Sequence, residues 1–513
     1  MNSIHSWPDK APHFSLFLEK KINELNRKQH IPWEIETSLD LNLNNILEDR
    51  INYHIASSGN SRITTGAGII VNNVSGEILA YIGSANFNDK EHSGQIDGVQ
   101  ILNQPGSTLK PFLYALAIEN GFLPNSVLPD ITSQLGGSEI YQPMNFDRTF
   151  HGPVLLRVAL ASSMNVPAVY MINRLGVQNF ANYLIDLGFN SIRSQKGRVG
   201  SGLALGNAEV SLFELVHGFL VFPNGGVLKN LTPFLHPGKN QYSHKDKYLN
   251  QIMKPYTAGI IRNILTDNNS RYPGFGSDSI MHTDFETMFK TGTSNQFQNI
   301  WALGSSSNYT VGIWMGDFAG NTIIGRTGSS LPAAAASEML EIIHSPGKKF
   351  PPVPNSKPIR LCTLSGLRPN KYTPSTYFEF LPVNEEPKIS DWHVVVKDSN
   401  NKEKVLTVYP REYQFWLEVK NRSGLTSVNG VNSHIIYPAD EAVFYIDPSV
   451  PPADQILGIE SVGFTDITTK VIINGIKKDE INNGRYNFKL KKGNFKIEFR
   501  TPLYSSSINI TVK

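Results

Sequence analysis

A chain of 513 residues has room for a large core and about two to four domains, and 40% apolar with 18% charged residues is ordinary for folded protein and argues against extensive disorder. The formal net charge is only +3, with acids and bases mixed along the chain, so no basic run points to nucleic acid or to a membrane surface. The single cysteine, Cys362, excludes an intramolecular disulfide and leaves the compartment open.

Met1–Lys10 lacks a charged segment followed by an apolar one, so it does not read as a signal peptide. No run of about 18 apolar residues encodes a transmembrane helix. His13–Lys28 carries Phe14, Phe17, Leu18, Ile22 and Leu25 at helical spacing and predicts an amphipathic helix; Leu39–Arg50 repeats the pattern. Ala67–Gly83 reads as two strands joined by a turn through Asn72, Asn73, Ser75 and Gly76. Gln104-Pro-Gly-Ser-Thr-Leu-Lys-Pro-Phe112 then leads from a Pro-Gly turn into the apolar run Phe112–Ile118, a loop entering a buried helix that ends at Asn120-Gly121. Pro111 is tolerable there because it falls in the first turn.

Val154–Ala161 and Pro167–Leu175 read as helical pieces interrupted by Ser162-Ser163-Met164-Asn165. Ser201–Gly206 is a glycine-spaced loop and Leu212–Val221 a further helix. Thr287–Thr293 and Ile300–Gly316 predict strands, with a turn at Ser305–Asn308, and Ala333–His344 predicts a closing helix. Pro346–Pro358 has linker composition. Beyond it come β-branched and aromatic runs, among them His393–Lys397, Lys404–Val408, Val443–Ile446, Lys470–Ile473, Tyr486–Leu490, Phe495–Phe499 and Ile508–Val512, which predict a β-rich tail. The expected division is an approach segment (1–35), a main domain (36–345), a Pro-rich and β-rich connection (346–430) and a small β-sandwich (431–513).

The candidate chemistry starts at Ser107 and Lys110. Three residues apart on one helix face, their Cβ atoms lie roughly 5–6 Å from each other. Burial lowers a lysine's pKa toward the value a general base needs, so Lys110 is placed to take the Ser107 proton. The spacing alone is weak, because Ser345–Lys348 and Ser399–Lys402 share it. Two later motifs single out the first copy. Ser163-Met164-Asn165 is the one Ser-x-Asn between Ser107 and Lys290, and Lys290-Thr291-Gly292-Thr293 holds the one Lys-Thr-Gly of the chain. Ser163 is a candidate proton relay to a leaving amine, and Asn165 a candidate holder of a substrate amide. Lys290 offers a positive charge to a substrate carboxylate, and Thr291 and Thr293 offer hydroxyls. Gly292 keeps a strand bare so that an extended peptide can lie against it. The N–H groups of Ser107 and Thr293 are the natural donors to a tetrahedral oxyanion. Gly-x-Ser-x-Gly, His-Glu-x-x-His and Cys-x-x-Cys are absent, and the histidines form no ligand-spaced cluster.

Ser107–Lys110, Ser163–Asn165 and Lys290–Thr293, in that order, resemble the three motifs of penicillin-binding proteins and serine β-lactamases. The middle motif reads Ser-Met-Asn where the family form is Ser-Asp-Asn. Flanking text, Gln104–Tyr114 with Gly94-Gln-Ile-Asp-Gly98 and Gly202-Leu-Ala-Leu-Gly206, is similar to the transpeptidase region of 1C-type bifunctional penicillin-binding proteins over about residues 10–345. Cys362-Thr-Leu-Ser-Gly366 resembles a segment that carries further cysteines in those relatives. Tyr372 or Thr373, and Ser390, stand at the corresponding places here, so the resemblance carries no disulfide or metal role. Residues from about 431, including Phe444–Pro448 and Val450–Gln455, resemble the family's C-terminal β-sandwich. The relatives' membrane anchor and glycosyltransferase domain have no counterpart in the sequence. Glu48-Asp49-Arg50-Ile-Asn-Tyr-His54 has a superficial likeness to an acidic motif of that domain, but its spacing is wrong and it reads as the end of a helix.

The resemblance implies an α+β fold of the serine β-lactamase and DD-peptidase type, an antiparallel sheet flanked by helices, followed by a β-rich connection and an all-β sandwich. It implies D-Ala-D-Ala transpeptidation on peptidoglycan stem peptides, with Ser107, Lys110, Ser163, Asn165 and Lys290 catalytic and Thr291, Gly292 and Thr293 binding substrate. It implies no metal or cofactor, β-lactams as covalent inhibitors, a separate glycosyltransferase or other wall-synthesis protein as partner, no nucleic acid, and the periplasmic side of a bacterial inner membrane. The alternatives are a DD-carboxypeptidase, a non-catalytic penicillin-binding sensor or scaffold, and, less consistent with the long tail, a β-lactamase.

Overall fold

Strict alternation of inward-facing residues builds the centre of the molecule. In the computed structural model, strands β1 (Thr65–Asn72), β2 (Ile78–Ile82), β3 (Met288–Thr293), β4 (Asn299–Ser305) and β5 (Tyr309–Gly316) form one antiparallel sheet in the order β2-β1-β5-β4-β3. Ile69, Val71, Met288, Trp301, Leu303 and Trp314 belong to one core, and their neighbours Ile70, Phe289, Ile300, Ala302, Ile313 and Met315 to another. Both faces are therefore covered, which is why these strands read as continuous apolar runs. The registers Ile69↔Gly312, Trp301↔Trp314 and Gly292↔Trp301 fix the pairing.

The structure describes residues 10–25, 34–60, 62–132, 143–235, 250–397, 403–413, 416–417, 434–438, 440–446, 455–501 and 505–513. The signal-peptide reading of Met1–Lys10 apart from Lys10, and the Val450–Asp454 part of the C-terminal resemblance, lie outside them.

Helices α1 (Pro12–Leu25) and α2 (Leu41–Ser57) precede the sheet. The sequence ended α2 at Arg50; it runs on because Leu43, Leu47, Ile51 and His54 form one buried stripe with no stop residue among them. Asp40 caps it, its carboxylate accepting from Leu43 N at 3.0 Å. Helix α3 (Lys110–Glu119) is buried on nearly every side, as its composition requires. The piece read as helical from Val154 divides, a short strand Gly152–Leu155 passing into α4 (Leu156–Ala161). After it come α5 (Val166–Leu175), α6 (Leu212–Phe219), α7 (Pro255–Thr266), α8 (Asn268–Phe275) and α9 (Leu331–Ile343). Helices α2 and α9 pack on one face of the sheet, and α6 covers β1 and β5 on the other, in the core that also holds α3 and α5.

The described residues fall into two compact units, one within Met1–Asp130, Met144–Thr149 and Pro153–Val408, the other within Ile131–Pro143, Phe150–Gly152 and Tyr409–Lys513. The first therefore includes the hairpin of strands Ser356–Cys362 and Thr376–Pro382 and the pair His393–Lys397 and Glu403–Thr407. In the second, strands Ile456–Ile473 and Ile476–Lys489 pair along most of their length, and irregular register between Glu460 and Thr469 breaks the longer one. Leu457 and Ile459 before the irregularity share a core with Val471, Ile497 and Phe499 after it, which makes a small all-β module.

Candidate active site

The turn before α3 is a single 3-10 turn, Gly106–Leu109, running straight into the helix at Lys110. Residues three apart eclipse in such a turn, so Ser107 and Lys110 stay on one face although Ser107 precedes the helix proper. Trp301 Nε1 donates to Gln104 O at 3.0 Å and Thr108 Oγ1 to Pro105 O at 3.0 Å, tying the turn to the sheet and to itself. Ser107 is partly exposed and Lys110 wholly buried.

Close backbone approach explains the glycines here. A Cβ on Gly292 would lie 2.2 Å from Pro105 O, and one on Gly206 would lie 2.1 Å from Gly106 O. On the side where a Cβ would point, Gly292 faces the chain's own turn, while β3 stays the edge strand of the sheet. Gly106 itself has φ +58° and sits against the backbone of Thr293. Strand β3 is the sheet edge, and Ser294 N–H donates to Asn299 O at 2.9 Å. Antiparallel alternation then turns the N–H and C=O of Thr293 to the open edge, beside Gly106 and Ser107. Thr293 Oγ1 accepts from Gly328 N at 3.2 Å.

The three motifs meet at two ammonium groups. Lys110 Nζ donates to Ser163 O and to Asn165 Oδ1, both at 2.7 Å. Lys290 Nζ donates to Ser163 Oγ at 2.8 Å and to Thr291 O at 2.9 Å. Burial, and then the positive charge of Lys290, hold Lys110 well below the ordinary lysine range. Burial, and then Arg271, bring Lys290 down to about 7. A neutral Lys110 has two N–H donors, both engaged, and one lone pair left for the Ser107 hydroxyl. That hydroxyl makes no hydrogen bond among the described residues, so its proton is uncommitted.

Asn165 is fixed at both ends of its amide: Oδ1 accepts from Lys110 and Nδ2 donates to Met144 O at 2.8 Å. Its backbone N–H donates to Asn145 Oδ1 at 2.9 Å, and Asn145 Nδ2 donates to both Asp130 carboxylate oxygens at 2.8 Å. Ser163 has φ +57°, an unusual conformation for a residue with a Cβ. Every site residue read from the sequence thus lies on the turn before α3, on α3 itself, on the loop between α4 and α5, or on β3. Asn145 and Asp130 carry no local sequence signal; only the folded chain brings them to Asn165.

A profile of the penicillin-binding protein transpeptidase domain matches residues 66–321, the span that holds the sheet and all three motifs. The chain carries a penicillin-binding protein transpeptidase domain. Penicillin-binding protein 1C of Escherichia coli K12 is 30% identical over 330 residues, covering 63% of this chain and 40% of that protein. Penicillin-binding protein 1A of Pseudomonas aeruginosa is 26% identical over 372 residues, covering 61% and 44%. The chain thus spans about two fifths of the length of these curated relatives. In fold it is similar to penicillin-binding protein 1A of Haemophilus influenzae, with a TM-score of 0.61 and 18% identity over 74% of this chain and 77% of that one. It is also similar to Mycobacterium tuberculosis PonA1 in complex with penicillin V, with a TM-score of 0.55 and 17% identity over 66% and 94%. The α+β fold of this family, an antiparallel sheet flanked by helices, is the one observed.

Outside the transpeptidase domain, Cys362 Sγ lies 3.5 Å from His393 Nε2 and accepts from Leu364 and Ser365 N–H. Ser365 Oγ donates to Ser390 Oγ at 2.9 Å. No group of three His, Cys, Asp or Glu placed to hold a metal occurs among the described residues. No helix among them is long and apolar enough to cross a membrane.

Proposed function

We propose that the chain is a serine acyl-transferase of cell-wall crosslinking, a DD-transpeptidase on D-Ala-D-Ala stem peptides. The observation that carries this is the two-lysine cluster. Lys110, one turn on from Ser107 and held well below the ordinary lysine range by burial, donates to Ser163 O and Asn165 Oδ1, while a second lysine of pKa about 7 holds Ser163 Oγ. In the reaction Lys110 takes the Ser107 proton as Oγ attacks the carbonyl of the penultimate D-alanine. The tetrahedral oxygen is held by Ser107 N–H and Thr293 N–H. Ser163, supplied with a proton by Lys290, protonates the leaving D-alanine nitrogen. An amine of a second stem peptide then attacks the acyl-serine and returns Ser107 to its free form; water in its place gives carboxypeptidase turnover. Lys290, Thr291 and Thr293 face the terminal carboxylate and amide of the donor. β-Lactams acylate the same serine, and the site works on the periplasmic side of the envelope, where stem peptides are.

A labelled penicillin tests this directly. One equivalent is expected on the wild type, with the label on the peptide holding Ser107, and none on Ser107→Ala; equal labelling of both proteins overturns the assignment. Release of D-alanine from a stem pentapeptide, rising with an added amine acceptor, separates transpeptidation from a sensor that acylates without turnover.

A further inference from the structure

Ser163 holds a left-handed backbone conformation, φ +57°, that is unfavourable for a side-chain-bearing residue and persists only where its surroundings impose it. Its own contacts are few: Lys290 on the hydroxyl, Lys110 on the carbonyl, and its N–H to Leu160 O at 3.1 Å. The rest of the constraint comes through the helices on either side of Ser162. Ser162 Oγ donates to Ser270 O at 2.8 Å, and a Cβ on Gly274 would lie 2.4 Å from Ser162 O, so α8 presses directly on the residue before Ser163. Helix α8 is set in turn by Asp267, whose carboxylate accepts from Asn269 N at 3.0 Å, Ser270 N at 3.3 Å and Ser270 Oγ at 2.6 Å.

Asp267 also accepts from Arg157 Nη1 at 2.9 Å, and Arg157 lies on α4, the helix that delivers Ser162 and Ser163. One buried guanidinium therefore joins both helices. Its other side is gripped by a residue far along the chain: Arg157 Nε donates to Glu379 Oε2 at 2.8 Å and Nη2 to Glu379 Oε1 at 2.6 Å. Glu379 is 0% exposed while its strand neighbour Phe378 is 68% exposed, an inversion of the usual order that puts the acid inside on purpose of this contact. A two-pronged pair of this kind fixes orientation as well as distance. Glu379 lies beyond residue 321, where the match to the transpeptidase domain ends.

We propose that Glu379, on the β-hairpin after the transpeptidase domain, is a positioning residue for acyl transfer, holding Ser163 through Arg157, Asp267 and α8. The inference rests on the acyl-transfer reading above. It makes the hairpin a working part of the site, since without the carboxylate Arg157 keeps only Asp267 and Asn263, whose Oδ1 accepts from Nη2 at 2.6 Å, and loses the two-pronged grip that orients it between α4 and α8.

The test measures penicillin acylation of the full chain, separating the first-order acylation constant from the binding constant, alongside thermal unfolding. Wild type is run with Glu379→Gln, which keeps shape and loses charge, and with the double variant Arg157→Met/Glu379→Leu, which replaces the buried pair by apolar groups. Replacing both members of such a pair restores or raises stability where removing one does not. The expected result is an acylation constant lowered on the order of 10- to 100-fold in both, the cost of a small misplacement of a catalytic group. The binding constant should stay within about threefold, and the double variant should melt near wild type. A double variant that regains both melting temperature and acylation rate reduces the pair to a structural role and overturns the proposal, as does a folded Glu379→Gln that acylates at the wild-type rate. Absence of labelling in the wild type instead overturns the acyl-transfer reading beneath it.

Discussion

Lys110 and Lys290 are both buried yet need opposite charge states, and the charge of Lys290 bears on the titration of Lys110. Lys110 serves as a base only when neutral, and Lys290 can serve a carboxylate or supply a proton only when charged. Burial depresses both, and the charge on Lys290 depresses Lys110 further. The acylation rate is therefore expected to rise with pH as Lys110 loses its proton, then to fall from about pH 7 as free Lys290 loses its own. Removing the Lys290 charge raises the pKa of Lys110, so Lys290→Gln should move the rising limb to higher pH and abolish the falling one. A rate profile of this variant with the rising limb unmoved would show that Lys110 is not the group titrating. Asn165 acts on the same amine from the other side: Asn165→Ala removes the acceptor that points one of its two N–H bonds. Acylation should fall on the order of 100-fold, the scale general-base catalysis contributes, with binding of the penicillin little changed.

At the scale of elements, the site is a contact between an edge strand and a turn, with glycines where backbone meets backbone. Gly292→Ala places a methyl group against Pro105 O, where the nearest approach would be 2.2 Å. Overpacking of that kind costs about 1–3 kcal/mol and, here, displaces the turn that carries Ser107. Thermal unfolding and penicillin labelling should fall together in this variant; a normal melting temperature with normal labelling would mean the turn has room to move. Much of this arrangement was legible in the sequence. Motif order alone brought α3, the α4–α5 loop and β3 together, and continuous apolar runs marked the strands. Two things were not legible. The backbone reason for Gly292 leaves no trace, because nothing in a linear sequence shows that Pro105 lies opposite it. Arg157 and Glu379 were passed over because their pairing spans 222 residues and leaves no local pattern. The one available hint was an acid among aromatics, Tyr377-Phe-Glu-Phe380, standing on the inward side of a strand.

At the scale of the whole molecule, the question is where the working transpeptidase ends. The last helix packed on the sheet is α9, the main core takes in Phe350 beyond it, and the matched domain ends earlier still. The hairpin Ser356–Pro382 belongs to the first compact unit, where Phe380 packs on the main core and polar contacts add to it. Glu379 grips Arg157, Tyr256 donates its hydroxyl proton to Phe380 O at 3.1 Å, and Asn125 Nδ2 donates to Gly366 O at 2.7 Å. Removing the hairpin leaves the Arg157 guanidinium buried beside Asp267 and Asn263 with two of its four hydrogen bonds gone, a loss of about 3–5 kcal/mol by the usual cost of breaking a buried pair. A chain ending at Val408 keeps every one of these contacts, and one ending at Ser345 keeps none. Both forms are compared for melting temperature and for rate of penicillin labelling per folded molecule. The longer should retain wild-type labelling within about threefold, and the shorter should melt lower and label on the order of 10- to 100-fold more slowly. Equal labelling by the two would place the end of the working domain at α9 and make the hairpin an ornament of the fold.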